Sequence, residues 1–454
     1  MAEADHRTLK SAAKKAGIFS FVFVMFSYTT GGPFGLEEQV TTSGPGMTLL
    51  YHLLIPFLWC IPISLVAAEL TTAMPVQGGF YRWVRAGYGD FWGFLAGWWN
   101  WTASFLLGGT YAVLFTDYLT PYFPGIVGWR HYATSVALIA VITYINVRGI
   151  NLVGRVSTVL EIIVLLPIFL MSAIALAHAH HNPFVPLTPP HKPFAQVFGV
   201  GLALGVWLYS GYEQLSSVAQ EVDNPRRNYP LALAIVVPMS VATYFLPTAT
   251  SLAALNNWQD WTVGYFSEAA RLIGGPMLAA AITIAAAVAN ICLLNSTVLG
   301  TTRMPFAMAE DGFLPKRLTQ LHPRFGTPAV CIIVSSIIYA LLARHSVVHL
   351  LTIYAWLRVA TTLMTALSGW RLRKTHPQLE RSFKIPGGNA GLFYSAAAPI
   401  FMGIVATVGS ILSAESGEDK FVLVWGPVAI LLGPAAYLVL RRKPDLGAAV
   451  PSTD

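Results

Sequence analysis

The chain has 454 residues, 55% of them hydrophobic and only 11% charged, where a soluble domain carries roughly a quarter charged residues. That balance argues against a soluble globular protein and makes lipid the expected solvent. The net charge of +7, from 28 Lys and Arg against 21 Asp and Glu, would suit nucleic acid only if the basic residues formed one patch, and they are spread over alternate loops instead.

Apolar stretches able to cross a hydrocarbon core of about 30 Å as helices recur along the chain. The tail at 1–16 is polar and basic (Arg7, Lys10, Lys14, Lys15) and lacks a cleavable leader pattern, so the first stretch reads as a retained helix. Stretches follow at 17–40, 48–72, 91–119, 131–147 and 157–179, then a Pro- and His-rich connector near 178–194. The next are 195–219, 229–254 and 276–299, followed by a connector at 301–327 with an amphipathic piece. The last four lie at 328–343, 346–369, 393–413 and 421–440, before a basic tail at 441–454. Runs such as Ile162 to Leu170 do not alternate in polarity, which argues against a membrane β-barrel. The expected fold is an all-α membrane protein with twelve transmembrane helices.

Arg82, Arg85, Arg148, Arg155, Arg226, Arg227 and the group Arg371, Arg373 and Lys374 fall on the same side as the N-terminal tail. By the positive-inside rule both termini are cytoplasmic, in a bacterial inner membrane or a plasma membrane. Cys60, Cys292 and Cys331 lie inside predicted spans and read as small apolar residues. No cofactor, metal site or nucleic-acid partner is expected.

Two spans are interrupted. In the first, Tyr28-Thr29-Thr30-Gly31-Gly32-Pro33-Phe34-Gly35 precedes Glu37 and Glu38, and proline with three glycines favours an opened backbone. In the sixth, Trp207-Leu208-Tyr209-Ser210-Gly211-Tyr212-Glu213 sets an ionisable group beside a glycine. Interruptions at membrane depth are tolerated where protein or a watery cavity receives the freed groups. Two units that each open with a broken helix predict a five-plus-five inverted repeat, 17–179 and 195–369, with helices at 393–440 peripheral. Freed N–H groups suit a carboxylate, and freed carbonyls suit an ammonium group or a cation.

At these residues the chain resembles the amino acid–polyamine–organocation transporter superfamily. Gly31-Gly32-Pro33-Phe34-Gly35-Leu36-Glu37-Glu38 is similar to the first helix of plant-type polyamine uptake transporters and their bacterial relatives. Met74 to Val84, Gly97-Trp98-Trp99-Asn100-Trp101, Tyr212 to Pro230 and Arg303 to Pro315 resemble further family segments in the same order. The resemblance implies an alternating-access carrier in which the amides around Thr30, Gly31 and Gly32 receive a carboxylate. It implies that the carbonyls of Trp207 and Ser210 receive an amine, with Trp207 covering the solute.

The expected substrate-binding set is therefore Tyr28, Thr29, Thr30, Gly31, Gly32, Gly35, Asn100, Trp207, Ser210, Gly211 and Glu213. Trp207, Glu213, Glu37 and Arg358 are the candidates for gating or coupling. An ionisable residue at membrane depth is a functional candidate by default. Arg358 either counters a buried glutamate or faces the cavity, and Glu69 and Glu161 read as structural partners of helix ends. Plant-type polyamine carriers place an acidic residue where this chain has Leu107, which removes one anionic partner for a polycation. The expected activity is secondary transport of amino acids, proton-coupled or by exchange, with polyamines as the alternative cargo. A channel fits less well, because twin broken helices in inverted positions favour alternating access over a continuous pore, and so does an intramembrane enzyme, since neither a His-Glu-x-x-His nor a Gly-x-Ser-x-Gly spacing occurs.

Overall fold

A computed structural model describes residues 15–120, 123–190, 194–262, 264–345, 347–415 and 421–440. All but the last two residues of the 1–16 tail, and all of the 441–454 tail, lie outside that set. The described chain is helical, and its one extended feature is an isolated bridge between Ala16 and Val222.

The first stretch divides into α1 (Ile18–Thr29) and α2 (Glu37–Ser43), with Thr30 to Leu36 outside either helix. Next come α3 (Pro45–Ala73), α4 (Phe80–Tyr88), α5 (Asp90–Leu119), α6 (Trp129–Val147) and α7 (Ile150–Ala177). The sixth stretch begins as α8 (Phe194–Leu208). The later helices are α9 (Pro225–Leu255), α10 (Tyr265–Glu310, two helical pieces joined across a kink at Gly275), α11 (Ala329–Leu342), α12 (Val347–Thr375), α13 (Gly388–Glu415) and α14 (Phe421–Leu440).

Among the described residues, five segments are long and apolar enough to cross a membrane: Pro45–Ala73, Ile150–Ala177, Pro225–Leu255, Tyr265–Glu310 and Gly388–Gly409. Large apolar side chains stand exposed along outer faces, among them Ile162, Leu166 and Leu170 on α7 and Phe393, Phe401 and Ile404 on α13. Water would reject such faces, and hydrocarbon accepts them. Helix α9 carries Pro230, Pro238 and Pro247 internally. Ser240 and Thr248 fold their hydroxyls back onto the carbonyls of Val236 and Tyr244 at 3.0 and 2.7 Å, satisfying these polar groups within the helix.

Several boundaries depart from the sequence reading, among them the start of α7 at Ile150 rather than at 157, and two have a clear physical cause. The second half of the sixth stretch, Gln214–Glu221, is a 3₁₀ helix. Its polar side chains are drawn into tertiary bonds: Ser217 Oγ donates to the Gly300 carbonyl at 2.5 Å, and Ser216 Oγ accepts from the Phe80 N–H at 3.3 Å. The eighth stretch runs on as α10 through Glu310, where a connector is expected from residue 301. Arg303 causes the misreading, because its charge suggests solvent. The side chain is fully buried and held by Glu221, Nε to Oε1 at 2.9 Å and Nη2 to Oε2 at 3.2 Å.

Candidate functional site

Helix α1 packs against α7, α9 and α10, so its interrupted end is enclosed on several sides. A small cavity of about 40 Å³ lies there, lined by Tyr28, Thr29 and Thr30 from the first interruption and by Trp207 and Ser210 from the sixth. Leu107 from α5 and Tyr354 from α12 also line it. Ligand pockets take roughly 300–1,000 Å³, so this conformation is collapsed around its own side chains. A second cavity of about 30 Å³ shares Trp207, Ser210 and Tyr354 and is bounded by Trp356 and Arg358. A far larger cavity of about 660 Å³ is lined by Lys15, Gln77, Arg148, Glu221 and Arg324. These residues belong to the chain ends and loops that the charge pattern assigns to one side.

The glycines set how closely the two interruptions approach. Gly211 has φ +116°, and a β-carbon there would stand 2.8 Å from the Tyr28 ring. Gly35 has φ +92°, and the Trp207 indole lies 3.3 Å from where its β-carbon would be. Both torsions disfavour any residue with a β-carbon. Gly31 and Gly32 present their Cα faces to Leu293 and Val164. Trp59 Nε1 donates to Ser210 Oγ at 3.1 Å, and Ser210 Oγ donates to the Val206 carbonyl at 2.6 Å, which fixes the hydroxyl on the cavity wall.

The ionisable candidates sort differently. Glu213 is fully buried and lines neither small cavity; its Oε1 accepts from Arg358 Nη2 and, at 3.4 Å, from Thr362 Oγ1. Arg358 is thus both a partner for a glutamate and a wall of the second cavity. Glu37 is fully buried, and its Oε2 accepts the Gly35 N–H at 2.7 Å. An internal carboxylate therefore occupies one of the amides freed by the break. Asn100 is buried with its amide nitrogen unpartnered and is not among the residues lining the small cavities.

Glu69 does tie down a chain segment. Its Oε2 accepts the Ile385 N–H at 2.7 Å, and Arg373 and Arg381 pair with it. Glu161 does not act as a helix-end partner: it sits inside α7, fully buried, with neither oxygen hydrogen-bonded.

Sequence reading missed Tyr244. From α9 its hydroxyl faces the Thr30 carbonyl at 3.2 Å and the Leu208 carbonyl at 3.0 Å, linking the last turns of both interrupted helices. The His52 ring stacks on it, centroids 5.7 Å apart. A tyrosine in an apolar helix gives no signal that separates this role from packing. Tyr244→Phe leaves two buried carbonyls with one donor fewer, a loss of roughly 1–3 kcal/mol. We expect a lower unfolding temperature of the purified protein and slower transport; unchanged values of both would mean that the bridge carries no weight.

The fold and site define a polytopic helical membrane protein in which two interrupted helices share one cavity. The model of the Amino acid permease family matches residues 16–431, and the chain belongs to that family, whose members are transporters rather than enzymes. A probable polyamine transporter of Arabidopsis thaliana is 31% identical over 399 residues, covering 86% of this chain and 81% of the relative. Polyamine transporter PUT1 of Oryza sativa subsp. japonica is 30% identical over 448 residues, 96% and 82% of the two chains. An uncharacterized transporter of Mycobacterium tuberculosis is 29% identical over 313 residues, 68% of each.

Proposed function

We propose that the chain is a secondary active transporter that carries small amines by alternating access, with polyamines such as putrescine as cargo. The observation that carries the reading is the joint cavity, in which Thr30 and Ser210 from the two interruptions meet on one wall system. Twelve membrane crossings belong to this reading, with 17–179 and 195–369 as inverted five-helix units and 393–440 outside them. Both termini are cytoplasmic, in a bacterial inner membrane or a plasma membrane. Trp207 and Tyr28 are the gating side chains, since a solute enters a cavity of about 40 Å³ only if they move.

Three features favour an amine without a carboxylate. Arg358 spends its charge on Glu213, so it opposes a polycation less than a free guanidinium would. Glu37 fills the Gly35 amide with a carboxylate of the protein's own. Glu37 Oε1 and Glu213 Oε2 remain buried without partners, each able to accept from an ammonium group once exposed. The plant relatives' names point the same way.

Amino acids are the second reading. The N–H groups of Gly31 and Gly32 take no hydrogen bond among the described residues and suit a carboxylate, and Leu107 gives the cavity an apolar wall where an acid would serve a polycation.

The test is uptake of radiolabelled putrescine into proteoliposomes holding the purified protein. Saturable uptake, blocked by spermidine and indifferent to amino acids, is the expected result. Competition by amino acids that is lost when their carboxylate is an amide would transfer the assignment to the second reading. A linear, non-saturating flux would remove the carrier mechanism altogether.

A further inference from the structure

The cavity of about 660 Å³ shares no lining residue with the two small ones, and its volume falls in the range of ligand sites, roughly 300–1,000 Å³. Three cationic side chains line it, Lys15, Arg148 and Arg324, against one carboxylate, Glu221. That carboxylate is already compensated, since both of its oxygens take N–H groups of the buried Arg303, at 2.9 and 3.2 Å. Lys15, Arg148 and Arg324 have no carboxylate partner among the described residues. Arg82 and Arg85 pair with Asp311, and Arg373 and Arg381 pair with Glu69, so two other basic pairs of that side meet acids and this group does not.

The walls add to the positive potential. Helix α7 begins there with Ile150, and a helix start carries the positive pole of the backbone dipole. Gln77 is more than nine-tenths buried, lines the cavity and has no hydrogen-bond partner for its side-chain amide among the described residues. Arg148 and Arg324 each lie 5.5 Å from the centre of the Phe325 ring, and a guanidinium packed on an aromatic face keeps in-plane N–H groups for an anion. Two separately tied groups of residues meet at this cavity. Lys15 precedes Ala16, whose N–H donates to the Glu221 carbonyl and whose carbonyl accepts the Asp223 N–H, each at 2.9 Å. The start of the first stretch is thereby pinned to the end of the sixth. Arg148 and Arg324 belong to the second group, because Thr327 Oγ1 donates to the Val147 carbonyl at 2.6 Å and ties the 321–327 connector to the end of α6.

We propose that this cavity binds a phosphate-bearing anion, and that the bound anion holds the two interrupted helices in the collapsed conformation. A phosphate ester supplies roughly two negative charges and three strong acceptor oxygens, enough to engage Lys15 in one group and a guanidinium in the other at once. The cavity is larger than inorganic phosphate needs, so the phosphate is part of a larger molecule: a soluble polyphosphate or phosphate ester, or a lipid headgroup. A ligand that binds one conformation better shifts the population towards it, so alternating access slows when the site fills. The site stands on its geometry, and its braking action rests on the transporter reading above.

Thermal unfolding of the purified protein with inorganic tripolyphosphate, at constant ionic strength, tests the site without any cargo. A rise in unfolding temperature is expected, and the double variant Arg148→Gln with Arg324→Gln should weaken the apparent affinity by about tenfold or more for each guanidinium lost. Both arginines are exposed, so that variant should unfold near the wild-type temperature when no phosphate is added. Lys15→Gln should weaken binding as well, and an unchanged affinity there overturns the bridging of the two groups. In nanodiscs, stabilisation by phosphatidic acid but not by tripolyphosphate assigns the phosphate to a lipid headgroup. A response to neither, or one that survives in the double-arginine variant, overturns the proposal. In proteoliposomes, the stabilising anion is expected to slow putrescine counterflow by the wild type and to leave the double-arginine variant unaffected; unchanged counterflow in the wild type overturns the braking action. Absence of putrescine flux in the wild type would count against the cargo assignment, and the unfolding result would still decide the site.

Discussion

Glu213→Gln is expected to destabilise the folded protein by about 3–5 kcal/mol, because it leaves the Arg358 guanidinium buried without its counter-charge. Both side chains are almost wholly buried, and Arg358 Nε and Glu213 Oε2 already lack partners, so no neighbouring group is in place to absorb the lost charge. From the sequence alone, Glu213→Gln is expected to stop transport while sparing the fold. The ion pair changes that expectation, since stability and transport fall together. Arg358→Met should cost a similar amount, and the double variant should recover most of the loss, since it removes both buried charges together and leaves neither without its counter-charge. A double-mutant cycle on unfolding of the detergent-solubilised protein measures the coupling; additive losses would mean that the two groups do not meet in solution. Transport by the stable double variant then separates a role for Glu213 in handling cargo from its role in holding α12 to the sixth interruption.

Gly211→Ala is the second large effect. The position has φ +116°, and the added carbon would stand 2.8 Å from the Tyr28 ring. Backbone strain at such a torsion costs of order 1–3 kcal/mol, and the ring, a wall of the cavity, must also shift. The expected result is a moderate drop in unfolding temperature with near-complete loss of uptake. Adding Tyr28→Ala removes the collision and leaves the torsion. If strain dominates, the double variant stays destabilised; if the collision dominates, stability returns. Wild-type uptake by Gly211→Ala would show that the two interruptions need not approach this closely.

Part of the candidate site is legible as a pattern. Thr30 and Ser210 could be named from the sequence because glycine and proline in otherwise apolar helices declare where the backbone opens, and both residues line the cavity. The ordered motifs located the family, because the glycine-proline run and the Arg303 to Pro315 segment are specific in combination. Asn100 signals a path by its polarity alone, yet a buried amide on a membrane helix serves packing as readily. Tyr244 gives the opposite case, its aromatic ring being indistinguishable in sequence from ordinary core.

What the sequence by itself determined is local or additive: apolar stretches of spanning length, the recurrence of basic residues in alternate connecting segments, and the two positions where a helix cannot continue. These follow from composition and from the torsions of a few residues, and they need no knowledge of neighbours. Which charges cancel was decided only by tertiary structure. Glu213 meets Arg358 across 145 positions of sequence, and Arg303 meets Glu221 across 82, while Glu161, chemically their equal, meets no counter-charge. A carboxylate's role depends on what lies within a few ångströms of it in a low-dielectric interior, and packing of distant helices alone fixes that distance.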